Sequence, residues 1–180
     1  MNDITDDAPE APPTIQIDPA LEAELRTEQA NAIIRRYTYG AVGTALIPLP
    51  AVDLVALIGL QLAQVNSLCK LYGVTFSKNA GKSAIASLVG GMWPATTATA
   101  VAASVFKFLP GLGTVAGMAS MAVLGGAATY AVGKVFQMHF EAGGNVLNFD
   151  PDRMRSYFAE QLEEGKKIAA NMKKDKEQQD

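Results

Sequence analysis

The sequence is poor in the residues from which active sites are usually built. Its 180 residues include one cysteine, one histidine and one tryptophan, and charged residues make up only 18%. With Cys69 alone, an internal disulfide is excluded, and a reducing compartment is the natural fit. His139 has no second histidine to form a metal pair, and Glu141, two positions on, falls on a different helix face. There is no excess of positive charge: the net charge is -3, whereas nucleic-acid binding needs clustered Lys and Arg. Nucleic acid is therefore not expected as a partner. No basic-then-apolar leader opens the chain, because Asp3, Asp6, Asp7 and Glu10 occupy that place. Ala80-Gly81-Lys82-Ser83 ends like a phosphate-binding loop, but Phe76 stands where the motif needs its first glycine, and no strand pattern precedes it. With no nucleophile–base pair, metal set or phosphate loop, the sequence leads us to expect neither an enzyme nor a cofactor.

Charge itself is missing over long stretches. Tyr37–Val52, Ser83–Phe106 and Phe108–Gly133 contain no Asp, Glu, Lys or Arg. As helices the last two would reach ~36 Å and ~39 Å at 1.5 Å per residue, enough for a hydrocarbon core ~30 Å thick. The stretch before the first proline pair, Tyr37–Leu49, would cover only ~20 Å, which suits a re-entrant or interfacial hairpin. Arg35, Arg36, Lys70, Lys78, Lys82 and Lys134 flank these runs, and only Lys107 falls between the last two. The positive-inside tendency then places both termini on the cytoplasmic side of a bacterial inner membrane. The opposing reading is a soluble bundle with deeply buried helices, since Ala, Gly and Thr insert into lipid far less favourably than Leu.

The remaining pattern is helical throughout. Residues 1–17 are acidic and proline-rich and read as a disordered arm. A helical domain follows over 18–170, and a charged, solvated tail over 171–180. Asp18-Pro19 and Asp150-Pro151 share one helix-start grammar, a side-chain oxygen at N-cap and proline at N1. These starts predict amphipathic helices at the two ends. Between them, Pro48 with Pro50, and Pro110 with Gly111, mark two elbows. The first leads into a helix from about Ala51 to Tyr72, stopped by Gly73. Ser77 is placed to cap a third helix, with a kink at Trp93-Pro94. The fourth runs to Phe140, with Gly143-Gly144 as its stop. Pro50 and Pro110 are sixty residues apart, as are Gly73 and Gly133, which suggests two related, long, proline-elbowed helical hairpins.

Two features stand out as candidate sites. Gly113, Gly117, Gly125 and Gly133 recur on a four-residue rhythm, drawing a smooth helix stripe along which another backbone can approach closely, within the chain or between copies. Asp53 lies just after the first elbow, where it either caps the second arm or, if carried into a membrane, serves transport or gating.

Ile47-Pro48-Leu49-Pro50-Ala51-Val52-Asp53, followed by Gln61 and Leu71-Tyr72-Gly73, resembles the YcjF-like membrane domains, domain of unknown function six-nine-seven. Phe108-Leu109-Pro110-Gly111, Thr129-Tyr130-Ala131-Val132-Gly133-Lys134 and Tyr157-Phe158 leading to Gly165-Lys166 are similar as well, so the likeness spans about residues 33–169. The resemblance implies a bacterial, membrane-associated helical domain with no established activity, often joined to or encoded beside Era-like GTPases. This chain contains no GTPase segment. The expectation is a non-enzymatic module that contacts membrane lipids, self-associates as a homo-oligomer and docks a partner such as a GTPase. The alternatives are a small channel or transporter resting on Asp53, and a soluble partner-binding bundle.

Overall fold

A computed structural model of the protein describes residues 18–44, 52–90 and 115–178. All regular structure there is helical: α1 Pro19–Thr44, α2 Val52–Tyr72, α3 Lys78–Gly90, α4 Val115–Glu141 and α5 Pro151–Glu177. Pro48, Pro50, Pro110, Gly111 and Gly113, the Trp93-Pro94 kink, and the arms at 1–17 and 91–114 lie outside the described residues.

The helix ends form as their local chemistry dictates. Asp18 Oδ1 accepts from the backbone N–H of Ala20 at 2.9 Å, and Asp150 Oδ1 accepts from Asp152 and Arg153 at 3.0 and 3.4 Å. Each aspartate satisfies N–H groups that have no carbonyl within their helix. At the other ends, Gly73 (φ 66°) and Gly143 (φ 81°) take the left-handed conformation. The Val74 N–H then reaches Cys69 O at 2.8 Å, and the Gly144 N–H reaches His139 O at 2.9 Å. That 6→1 closure is open to glycine without the steric penalty of a Cβ.

One expectation changes. The N-terminal amphipathic helix and the described part of the first hairpin's entering arm, to Thr44, are one unbroken helix, α1, because nothing between Arg36 and Thr44 removes an N–H donor; Gly40 and Gly43 weaken it without a break. Of the second expected hairpin only the outer parts are described: α3 packs mainly on α2 and α5 and touches α4 little, while the elbow and the arms beside it, 91–114, lie outside the described residues. The charged tail from residue 171 is helical to Glu177, with Asn171, Lys174 and Asp175 exposed to solvent.

The core is continuous from α1 to α5. Val65, Leu68 and Cys69 of α2, Ile85 and Leu88 of α3, Val132, Val135 and Phe136 of α4, and Phe158 of α5 share one buried cluster. Each large side chain buried there contributes about 1.5–3 kcal/mol. Among the described residues, no helix is long and apolar enough to cross a membrane. The described part of the run expected to span, Ala122–Gly133 of α4, is instead largely covered by its helix neighbours.

Candidate functional site

Residue pairings fix how the helices run. Gly40 faces Leu60, so α1 and α2 are antiparallel, as the hydrogen bond at 2.9 Å between Tyr37 Oη and Ser67 Oγ also requires. Gly125 faces Leu57 and Gly133 faces Gln64, so α2 and α4 run parallel. The C-terminal end of α1 and the N-terminal ends of α2 and α4 therefore share one pole. That pole is nearly free of charge in sequence: residues 37–44 of α1, 52–69 of α2 and 115–133 of α4 contain a single ionisable carboxylate, Asp53, in the first turn of α2. Ile58 and Leu124 are exposed near it. The opposite pole carries the charge, with Glu22, Glu24 and Arg26 of α1, Lys70 of α2, Glu141 of α4 and the acidic start of α5.

Glycine sets how closely the helices approach. A Cβ on Gly133 would lie 2.5 Å from Gln64 Nε2 and 2.8 Å from Ile34 Cγ1, so α1 and α2 both close onto α4 there. At Gly125 the nearest atom, Leu57 Cδ1, would be 3.7 Å away, an ordinary contact. Gly117 falls in the first turn of α4. Two tight positions lie off the four-residue rhythm. At Gly126 a Cβ would meet Val42 Cγ2 at 2.6 Å and Ala169 Cβ at 2.9 Å. At Gly165 it would meet the Ala127 carbonyl oxygen at 2.8 Å, so α4 and α5 touch backbone to side-chain face. The sequence signal for Gly126 was its place beside Gly125; Gly165, inside the charged run Glu163–Lys167, was marked only by the family resemblance, not as a packing position.

Polar groups tie the charged pole. Glu141 Oε1 accepts from Tyr72 Oη (2.8 Å), Gln137 Nε2 (3.0 Å) and Thr27 Oγ1 (3.1 Å), joining α1, α2 and α4. Burial and the Glu141 carboxylate both push the Tyr72 phenol well above its ordinary range, so it remains a donor. From Gln137 the chain of bonds passes to Lys134, whose ammonium donates to Gln137 Oε1 at 2.9 Å and Asn31 Oδ1 at 3.0 Å. Lys134 stands at the edge of a groove of about 510 Å³ between α1, α4 and α5. Arg35, Asn31 and Asn171 supply further polar groups to the groove, Ile34, Ile168 and Met172 its apolar side, and Asp175 its one carboxylate. Tyr130 also lines it, its phenol pushed up to about 12 by burial and by nearby Glu164.

The remaining sequence candidates have structural employment. Gly81 and Lys82 lie inside α3, with Gly81 packed on Leu62 and Phe76, so no phosphate-cradling loop exists there. His139 Nε2 contacts two acceptors, Asn145 O at 3.0 Å and Asn148 Oδ1 at 3.1 Å, so it carries the proton and braces the α4–α5 turn. Its ring also meets Phe149 edge-on at 5.1 Å. Cys69 is fully buried and its thiol is pushed up to about 11 by burial, which makes it a poor nucleophile near neutral pH. Among the described residues there is no group of His, Cys, Asp and Glu with the proximity to hold a metal ion.

A family model described as "Domain of unknown function (DUF697)" matches residues 18–167, the whole helical body from the α1 cap to the middle of α5. Magnetosome membrane protein 22 of Magnetospirillum gryphiswaldense is 42% identical over 148 residues, which cover 82% of this chain and 76% of that protein. No solved structure matches.

Proposed function

The chain belongs to the DUF697 family, and from that footing we propose that it is a non-enzymatic membrane module that docks on lipid through its uncharged pole. One observation carries the reading. Three helices bring together ends that carry Asp53 alone among Asp, Glu, Lys and Arg, while the charge lies towards the other pole and on α5, whose Ala169 packs against Gly126. In water such a pole gains nothing from lacking charge, whereas against hydrocarbon every ionisable group costs roughly 3 kcal/mol near the bilayer centre. The segments 45–51, between α1 and α2, and 91–106, after α3, are likewise uncharged in sequence. The magnetosome membrane relative, similar over most of both chains, supports the same location.

On this reading the module sits at the cytoplasmic face of a bacterial inner membrane with both termini in the cytoplasm. It self-associates there and presents its charged pole to a partner, an Era-like GTPase by family resemblance. Gly133 is already covered by Gln64 and Ile34, so self-association uses surfaces other than that part of the stripe. Membranes from cells producing the full chain, washed with alkaline carbonate, test the location: retention in the pellet is expected, and complete release into the supernatant would overturn it. Proteins recovered with a tagged copy from gently solubilised membranes test the partner, and recovery without any GTPase removes that part of the proposal.

A further inference from the structure

We infer that the groove between α1, α4 and α5 binds an amphiphilic phosphate ester, its phosphate on Lys134 and Arg35 and its first methylenes against Ile34, Ile168 and Met172. The inference goes beyond membrane docking by the uncharged pole, because it concerns a separate part of the bundle and a single bound molecule.

The starting point is the state of Lys134. An ammonium has three N–H donors, and two are fixed by neutral amide oxygens, Asn31 Oδ1 and Gln137 Oε1. Among the described residues no carboxylate lies within ion-pair distance of either Lys134 or Arg35. A part-buried cation held in place by amides, with no carboxylate on it among the described residues, is a preorganised anion receptor: its position is fixed before the ligand arrives, and the ligand supplies the charge. Arg35 at the rim adds a planar fork suited to phosphate oxygens, and Asn31 and Asn171 line the same space.

The rest of the lining narrows the ligand. A small inorganic anion would leave most of a groove of about 510 Å³ unfilled. Ile34, Ile168 and Met172 offer nothing to a fully polar solute, yet they suit the hydrocarbon beside a phosphate. Ligand sites of this size characteristically combine an apolar wall with a few placed polar groups. Asp175 opposes a second negative charge at its side of the groove, which favours a monoanionic phosphodiester over a dianionic monoester.

The same chemistry is available from a bilayer lipid or from a free phosphate ester, and the test separates them. The full chain is titrated with short-chain phosphatidylglycerol below its micelle concentration, with inorganic phosphate, and with an uncharged detergent of equal chain length. Flotation with phosphatidylcholine vesicles, with and without phosphatidylglycerol, runs alongside. Saturable binding of the short-chain lipid is expected, at least tenfold tighter than phosphate or detergent. Arg35→Gln and Lys134→Gln should each weaken it at least tenfold, and Asp175→Asn should tighten it severalfold. Arg35 is exposed, so Arg35→Gln keeps the test valid if Lys134→Gln misfolds. No saturable binding by the wild type, or unchanged binding in a folded Arg35→Gln protein, would overturn the site. Phosphate binding as tight as the lipid would overturn the amphiphile. Flotation on vesicles of phosphatidylcholine alone reads the uncharged pole, so the two proposals fail separately.

Discussion

Gly165→Ala and Gly125→Ala form a matched pair in which one added methyl has opposite effects. Both glycines lie inside helices, where alanine is favoured over glycine by roughly 1 kcal/mol. At Gly125 the new Cβ finds its nearest neighbours, the two terminal carbons of Leu57, at 3.7 and 3.8 Å. Nothing must move, so most of that preference is realised and Gly125→Ala stabilises by about 0.5–1 kcal/mol. At Gly165 the Cβ meets the Ala127 carbonyl oxygen at 2.8 Å, its Cα at 3.0 Å and Tyr130 Cδ1 at 3.1 Å. The first two are backbone atoms of α4 that cannot rotate aside, so α5 must part from its main partner. Overpacking of this kind costs about 1–3 kcal/mol, and loss of contact along the seam places this site at the upper end. Set against the helix preference, the net loss is about 1–2 kcal/mol. In a chain of this size that lowers Tm by roughly 2–8 °C. Urea and thermal unfolding followed by far-UV circular dichroism measure both variants. A Gly165→Ala protein as stable as the wild type, or a Gly125→Ala protein as damaged as Gly165→Ala, would refute the argument that α4 and α5 meet through backbone contact.

Other substitutions probe different contacts. Phe136→Ala and Phe158→Ala empty the centre of the cluster, where both rings are fully buried, and each should cost about 3–5 kcal/mol in urea unfolding. Asp150→Ala removes the acceptor for the first N–H groups of α5 and should cost about 1 kcal/mol, with Asp150→Ser recovering most of it. Gln64 is fully buried, and neither of its amide atoms has a hydrogen-bond partner among the described residues; Gln64→Met, similar in shape, should raise stability by about 1 kcal/mol in the same assay. Stability should also fall on the alkaline side. Cys69 is raised from 9.0 to about 11 and Tyr130 from 10.0 to about 12, so both ionise in the unfolded chain first. Their contribution is complete below pH 9 and is lost as pH rises through that window; a urea midpoint unchanged between pH 8.5 and 11 would contradict it.

The parts of the fold that were legible in sequence are those decided by neighbours in the chain. Asp18-Pro19 and Asp150-Pro151 announced helix starts, and Gly73 and Gly143 announced stops, because a cap or a left-handed residue acts within one turn. The family was legible in the proline elbow and the Tyr-Gly stop. The hidden parts depend on which face meets which partner. Gly125 and Gly126 are adjacent, yet only Gly126 faces Val42 and Ala169, and a four-residue rhythm cannot choose between them. Gly165 sits in a charged run that reads as solvent-facing until α4 is laid against it. The Glu141 cluster joins residues 114 and 69 positions apart, and its members are individually ordinary polar residues. Lys134 was visible as a flanking cation, but its amide-only surroundings exist only when α1 packs beside α4.

The absence of a spanning helix among the described residues and a membrane-docked module are compatible because the two poles are held by different forces. At the charged pole α1, α2 and α4 are joined by directed bonds to Glu141 and Lys134. Such bonds keep their geometry in water and gain nothing from lipid. At the uncharged pole the same helices meet through small-residue contact at Gly125 and Gly126 and through apolar side chains such as Leu57, Leu60 and Val42. Burial of that surface is favourable at about 25 cal/mol per Å² only where water is the alternative. Against hydrocarbon the term vanishes and van der Waals packing alone remains. On the proposed docking a bilayer would therefore relax one end of the bundle and leave the other intact, without any described helix needing the length to cross.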